Sequence, residues 1–183
     1  RRHGWQIRRE EVLCTTGVVP AVSAVIKAFT RPGDGVALMT PAYNCFFSSI
    51  RNNGCFAAET ALLMGDACWT IDFAALEKTL ADPRVKVLLF CSPHNPVGRV
   101  WTADEIRRTA QIAHQAGVLF VCDEIHGEFV FGGSRYLPAA QVEGVDPLRT
   151  VILTSPTKTF NLAGLVGSYH IVYNSWWRDR MEK

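Results

Sequence analysis

Two runs constrain this chain more than anything else in it: Val85-Lys86-Val87-Leu88-Leu89-Phe90 and Val118-Leu119-Phe120-Val121-Cys122. Each is apolar almost throughout, so each suits a strand buried on both faces and not one with a wet side. Between them, Thr102-Ala103-Asp104-Glu105 forms a capping box, with Thr102 as the cap and Glu105 three residues on. It opens a helix predicted to run to Ala116 and to stop at Gly117. Strand, capped helix and strand in that order predict parallel strands joined by a crossover helix.

The rest of the chain repeats the rhythm. Val18 to Thr30 has helical spacing, with Pro20 early, where a missing N–H costs nothing. Arg31 to Gly35 is a turn, and Val36 to Met39 reads as a short buried strand. Pro41 to Arg51 reads as a helix ending at Asn52-Asn53-Gly54, followed by a strand near Cys55 to Ala58 and a polar loop around Gly65. Asp72 caps a helix predicted to reach Ala81. Thr150 to Thr154 and Gly167 to Tyr173 supply two further strands, and Trp176 to Lys183 reads as the start of another helix. The expected fold is α/β: a three-layer α/β/α sandwich with a mostly parallel sheet, one domain over residues 1–183 without repeat or linker.

Composition narrows the function. Hydrophobic residues make up 48% and charged ones 20%, with 19 Lys+Arg against 17 Asp+Glu, a net charge of +2. That excludes a disordered chain, a collagen-like repeat and a polyanion binder driven by bulk charge. Arg1, Arg2, Arg8 and Arg9 are balanced by Glu10 and Glu11 and read as a solvated surface, so no nucleic-acid partner is expected. No window approaches the roughly 18 apolar residues of a spanning helix, and the charged first residues are no signal peptide. Six cysteines (Cys14, Cys45, Cys55, Cys68, Cys91, Cys122) form no CxxC pair, and read as reduced, partly buried thiols of a cytoplasmic protein. A metal site built from His94, Cys122, Asp123 and His126 lacks the spacing of known ligand sets.

In open α/β sheets, ligands bind beyond the carboxyl ends of the strands. The unusual residues of this chain collect there: Asn95 after one strand, Asp123 and His126 after the next, Ser155 and Lys158 after a third, and Gly17-Val18-Val19 ahead of the first helix. Each has an ordinary reading as well. Asp123 suits an N-cap, His126 a structural histidine, Lys158 a solvated lysine, and Gly17 and Asn95 turns. Their joint occurrence at successive strand ends matches one cofactor, pyridoxal 5'-phosphate, which needs a lysine amine, a carboxylate against its pyridine nitrogen, a donor to its phenolic oxygen and a phosphate site. A helix N-terminus with free N–H groups serves the last need.

The runs CSPHNPVGRVW, VCDEIHGEFVFGG and TSPTKTFNLAGL resemble the class I/II aminotransferase superfamily of pyridoxal phosphate enzymes (fold type I), and within it the cystathionine β-lyase-type C–S lyases. The resemblance runs from about Val12 to the end of the chain. It implies that Lys158 is the Schiff-base lysine and catalytic base, Asp123 the partner of the pyridine nitrogen, and Asn95 the donor to the phenolic oxygen. It implies that Tyr43 stacks on the cofactor ring; on its own, Tyr43 reads as core. His126 stands where many aminotransferases carry Tyr, and Gly17, Val18, Val19 and Ser155 match the phosphate site. Val166 stands where many relatives have a basic residue, and Ser92 where the commoner motif has Asn. The implied activity is β-elimination from cystathionine or related cysteine S-conjugates by a homodimer, with an aminotransferase or an inactive regulatory form as alternatives. The family's small domain, with its substrate-carboxylate arginine, and its N-terminal segment have no counterpart in this sequence.

Overall fold

The computed structural model describes residues 3–182; Arg1 and Arg2, part of the basic cluster noted above, and Lys183 lie outside the described residues. In chain order come β1 (Val12–Thr15), α1 (Val18–Phe29), β2 (Gly35–Thr40), α2 (Asn44–Asn52), β3 (Phe56–Ala61), the short β4 (Leu63–Met64) and β5 (Trp69–Thr70), and α3 (Phe73–Leu80). There follow β6 (Val85–Cys91), α4 (Ala103–Gln115), β7 (Leu119–Asp123), β8 (Thr150–Thr154), the single turn α5 (Pro156–Thr159), β9 (Ser168–Val172) and α6 (Ser175–Met181).

Seven strands form one sheet in the order β1-β9-β8-β7-β6-β2-β3. The run from β8 to β3 is parallel, and β9 is antiparallel to both of its neighbours. Because β9 reverses twice, β1 points the same way as β8, and the carboxyl ends of β1, β2, β6, β7 and β8 share one edge.

The two expected central strands are buried on both faces because their alternate residues meet different layers. Leu88, Phe90, Phe120 and Ile152 pack with Leu76 and Leu80 of α3 and with Ile106 and Ala110 of α4. Val87, Leu89, Val121 and Leu153 pack with Val22, Val25 and Ile26 of α1 and with Phe46 and Ile50 of α2. Each such side chain contributes roughly 1.5–3 kcal/mol by leaving water, and this sets the three-layer architecture that the apolar runs predicted.

The caps stand where the sequence put them. Thr102 Oγ1 accepts from Glu105 N–H at 3.2 Å, Glu105 Oε2 accepts from Thr102 N–H at 2.8 Å, and Asp72 Oδ1 accepts from Ala75 N–H at 2.9 Å. Boundaries differ in three places. The helix expected from Pro41 begins at Asn44, with Tyr43 extended at its N-cap, because the Pro41 carbonyl is bonded across the molecule to His94 at 2.9 Å. The strand near Cys55 runs from Phe56 to Ala61, in register with β2, and the polar loop around Gly65 closes the β4–β5 hairpin. The antiparallel β1–β9 pair was not foreseen in Val12 to Thr15, which is too short and too exposed to show a pattern. All six cysteines are free; Cys91 and Cys122 are buried, whereas Cys14 and Cys68 are exposed. Among the described residues no helix is long and apolar enough to cross a membrane.

Candidate active site

The floor of the site is the end of β7, the middle strand of seven. Cys91 and Asp123 are register partners on β6 and β7, and the Asp123 carbonyl accepts from Ser92 N–H at 2.9 Å. The next residue stays tied to β8, with Glu124 N–H donating to the Leu153 carbonyl at 2.8 Å. Asp123 is 5% exposed, and burial raises its pKa to about 6 against the pull of the Ile125 N–H, which donates to Oδ1 at 3.1 Å. No helix follows Asp123, so the capping alternative reduces to this one local bond. A carboxylate held in so poorly hydrated a place calls for a cationic partner.

Around this carboxylate the neighbouring strand ends deliver the other candidates. Asn95 and His126 line one cavity of about 210 Å³ together with Pro93, His94 and Phe129. His126 is lowered in pKa, by burial first and by the positive charge of Lys158 second, which keeps its imidazole neutral. Lys158 lies on α5 and is exposed, and its ammonium forms no ion pair with the described residues. Tyr43 enters from the end of β2, its ring edge-on to Phe46 at 5.9 Å; the Cys45 thiol first, burial next and the charge of Asp123 least raise the pKa of its hydroxyl. The structure thus brings Tyr43, Asn95, Asp123, His126 and Lys158 to one edge.

The expected anion site lies on the β1 side. Gly17 caps α1 without a side-chain bond, and its carbonyl receives the Ala21 N–H at 3.0 Å. The amides of Val18 and Val19 have no intrahelical acceptor, and Pro20 has no N–H. With no acidic residue in that first turn, the positive end of the helix is undiluted. Ser155 is buried and committed: its hydroxyl donates to the Gly167 carbonyl and its oxygen accepts from Thr157 N–H at 3.1 Å, capping α5. Thr15 Oγ1 meets Ser168 Oγ, so the residues expected to hold the phosphate are joined through β1 and β9.

Sequence reasoning left out Glu124 and Tyr136. Glu124 is buried on the opposite face from Asp123, accepting from the Tyr136 hydroxyl and from Ala139 N–H at 2.7 Å. It closes the excursion that carries His126, Phe129 and Phe131. The acidic pair in Asp-Glu-Ile-His was the available signal: two adjacent carboxylates on a buried strand end need two separate sets of partners. Among the described residues no group of three His, Cys, Asp or Glu could hold a metal ion.

Comparison with known proteins supplies the family. A model of aminotransferase class I and II matches residues 1–183. The chain is 37% identical over 171 residues to cystathionine beta-lyase PatB of Bacillus subtilis, an alignment covering 93% of this chain and 44% of that protein. It is 32% identical to a probable N-succinyldiaminopimelate aminotransferase DapC of Mycobacterium tuberculosis, over 84% of this chain and 38% of the relative. Its fold matches the crystal structure of cystalysin from Treponema denticola, which contains a pyridoxal 5'-phosphate cofactor, with a TM-score of 0.95 and 41% identity over 98% of this chain and 46% of that one. The chain spans less than half the length of the relatives it matches. It belongs to the aminotransferase class I and II family.

Proposed function

From that membership we propose that this chain is the cofactor-binding large domain of a pyridoxal 5'-phosphate-dependent carbon–sulfur lyase. Its substrates would be cystathionine or related cysteine S-conjugates, split with one water into a thiol, pyruvate and ammonia. The observation that carries the reading is the buried Asp123 carboxylate at the end of the middle strand, flanked on adjacent strand ends by Asn95 and Lys158. The residues fit the cofactor. Asp123 needs a cation, the first turn of α1 offers unpaired amides to a phosphate, and Tyr43 brings an aromatic ring to the end of β2 on the same edge.

Bound there, pyridoxal phosphate supplies a protonated pyridine ring that draws off the electron pair left when the substrate loses its Cα proton. Asp123 keeps the proton on that ring nitrogen, and the positive charge offsets its own burial and holds it ionised. Lys158 would hold the cofactor through its amine, and the same amine would serve as the base for the substrate's Cα proton. Asn95 donates to the phenolic oxygen. The neutral His126 stands beside Lys158 without adding a second cation to it. The Val18 and Val19 amides would take the phosphate; the Ser155 hydroxyl, spent on the Gly167 carbonyl, would have no proton left to donate to it, and Val166 adds no charge.

His126 within Asp-Glu-Ile-His, the uncharged Val166 and the likeness to a cystathionine β-lyase favour elimination; the likeness to an aminotransferase supports transamination as the second reading. The same proposal makes the protein a cytoplasmic homodimer. Six free thiols suit a reducing compartment, and the exposed Phe129, Phe131, Phe160 and Leu165 near the site suit coverage by a second copy.

Titration with pyridoxal phosphate, followed by visible absorption, tests the reading. A band that forms with the wild type and is lost in Lys158→Ala is expected. Pyruvate released from cystathionine without a keto-acid acceptor then selects the lyase, and a requirement for an acceptor selects the aminotransferase. A folded chain that gives no band overturns the proposal.

A further inference from the structure

His94 has no part in the chemistry above, yet it joins two of the loops that build the site. It is 4% exposed and sits next to Asn95 in the loop that follows β6. Its Nε2 lies 2.9 Å from the carbonyl oxygen of Pro41. A carbonyl only accepts, so the imidazole proton is on Nε2 and the histidine donates. Burial lowers its pKa, which favours the neutral ring, and the bond to Pro41 selects the tautomer. Pro41 opens the three-residue segment that ends in Tyr43 and turns into α2.

The loop side of this bond is held independently. His94 N–H donates to the Arg99 carbonyl at 2.7 Å, and its own carbonyl accepts from Gly98 N–H at 2.8 Å. The imidazole lies edge-on to Trp101 at 5.6 Å, and Trp101 Nε1–H donates to the Cys91 carbonyl at 2.9 Å. The imidazole is therefore fixed on one side by packing, and its N–H reaches across to the other. The 41–43 segment is held more lightly: Pro41 lacks an N–H and is exposed, α2 starts only at Asn44, and the segment's own ties are the partial burial of Ala42 and Tyr43 and the Tyr43 carbonyl accepting from Phe46 N–H at 3.0 Å.

We propose that His94 is a positioning residue, whose Nε2–H bond to the Pro41 carbonyl sets the Tyr43 segment at a fixed separation from the Asn95 loop. The ligand consequence rests on the function proposed above, in which Tyr43 stacks on the cofactor ring and Asn95 donates to its phenolic oxygen. With both walls of the slot held before the cofactor arrives, binding has less ordering to do.

Two substitutions separate the bond from the ring. His94→Phe keeps an aromatic group against Trp101 and removes the donor; His94→Gln restores an N–H of similar reach. In the chain without cofactor, backbone order parameters from ¹⁵N relaxation are expected to fall at Ala42 to Asn44 in His94→Phe, to stay high at Val97 and Gly98, and to recover in His94→Gln. Unchanged order at 42–44 in the Phe variant, or a loss confined to the His94 loop, overturns the proposal. The pyridoxal phosphate dissociation constant is expected to rise about tenfold in His94→Phe and to return in His94→Gln. The Phe substitution should add little once Tyr43→Ala is present, and fully additive losses in that double-mutant cycle would also overturn it. If the wild type takes up no cofactor, the ligand reading fails, and the order parameters alone still decide whether His94 couples the two segments.

Discussion

The two sides of the candidate site are built differently. On the β6–β7 side, Asp123, His94 and the loop beside Asn95 stand on residues almost wholly withdrawn from water, and Trp101, Glu124 and Tyr136 back them with hydrogen bonds to main chain and side chain. On the β8 side, Lys158 rides a single helical turn, followed by exposed Phe160, Leu165 and Val166, with Asn161 and Val166 both at positive φ. The groups that must hold a fixed geometry are set in the dense region. The amine proposed to leave and return during turnover sits in the loose one. Preorganisation and mobility are divided between adjacent strand ends.

Stability measurements can break or sharpen this contrast. The largest effect is expected for Trp101→Ala, which empties a buried site and orphans the Cys91 carbonyl; urea denaturation should show a loss of about 4 kcal/mol. Next is a pH effect at Glu124, whose pKa burial raises to about 7. The folded state then holds a proton that the unfolded chain releases above about pH 4.5, so the wild type loses stability as pH climbs from about 4.5 to 7. Glu124→Gln lacks that proton. Its stability relative to wild type should therefore rise across the window by up to about 3 kcal/mol, and a pH-independent difference would refute the assignment. Tyr136→Phe, which removes one of the two donors to Glu124, should cost about 1.5 kcal/mol.

On the loose side the expected numbers shrink or change sign. Val166 holds φ 34 with its side chain exposed, so Val166→Gly relieves strain without losing packing and should stabilise by up to about 1 kcal/mol. Phe160→Ser should stay within about 0.5 kcal/mol of wild type. A loss above about 2 kcal/mol at Phe160 would mean that the lysine arm is as firmly built as the Asp123 floor.

Much of this was legible in the residues, for identifiable reasons. Val85 to Phe90 and Val118 to Cys122 declare strands because both faces are buried, and Thr102 and Asp72 declare helix starts because capping is local chemistry. The true start of α2 was not legible, since a bond from His94 across 53 residues of sequence takes the Pro41 carbonyl. Nor was the partner of Glu124, since Tyr136 lies 12 residues on, beyond a loop with no periodicity. Asp123, His126, Asn95 and Lys158 could be placed at a common edge from strand order alone. That Asp123 forms no ion pair among the described residues, and that the Ser155 hydroxyl is spent on Gly167, required coordinates.

The reversal at β9 bears on how the chain is made. Among the described residues β1 finds its only ladder partner in β9, and Thr15 meets Ser168 across 153 residues. A ribosome therefore delivers β1, and α1 with its apolar face, long before the strand that seats them against β8. Until then the β1 edge has no neighbour, and Val22, Val25 and Ile26 can bury themselves only against whatever sheet has already emerged. Contacts this distant in sequence close late and slow the folding of a domain. The helix end proposed to receive the phosphate is thus seated only after the whole stretch from β1 to β9 has been made.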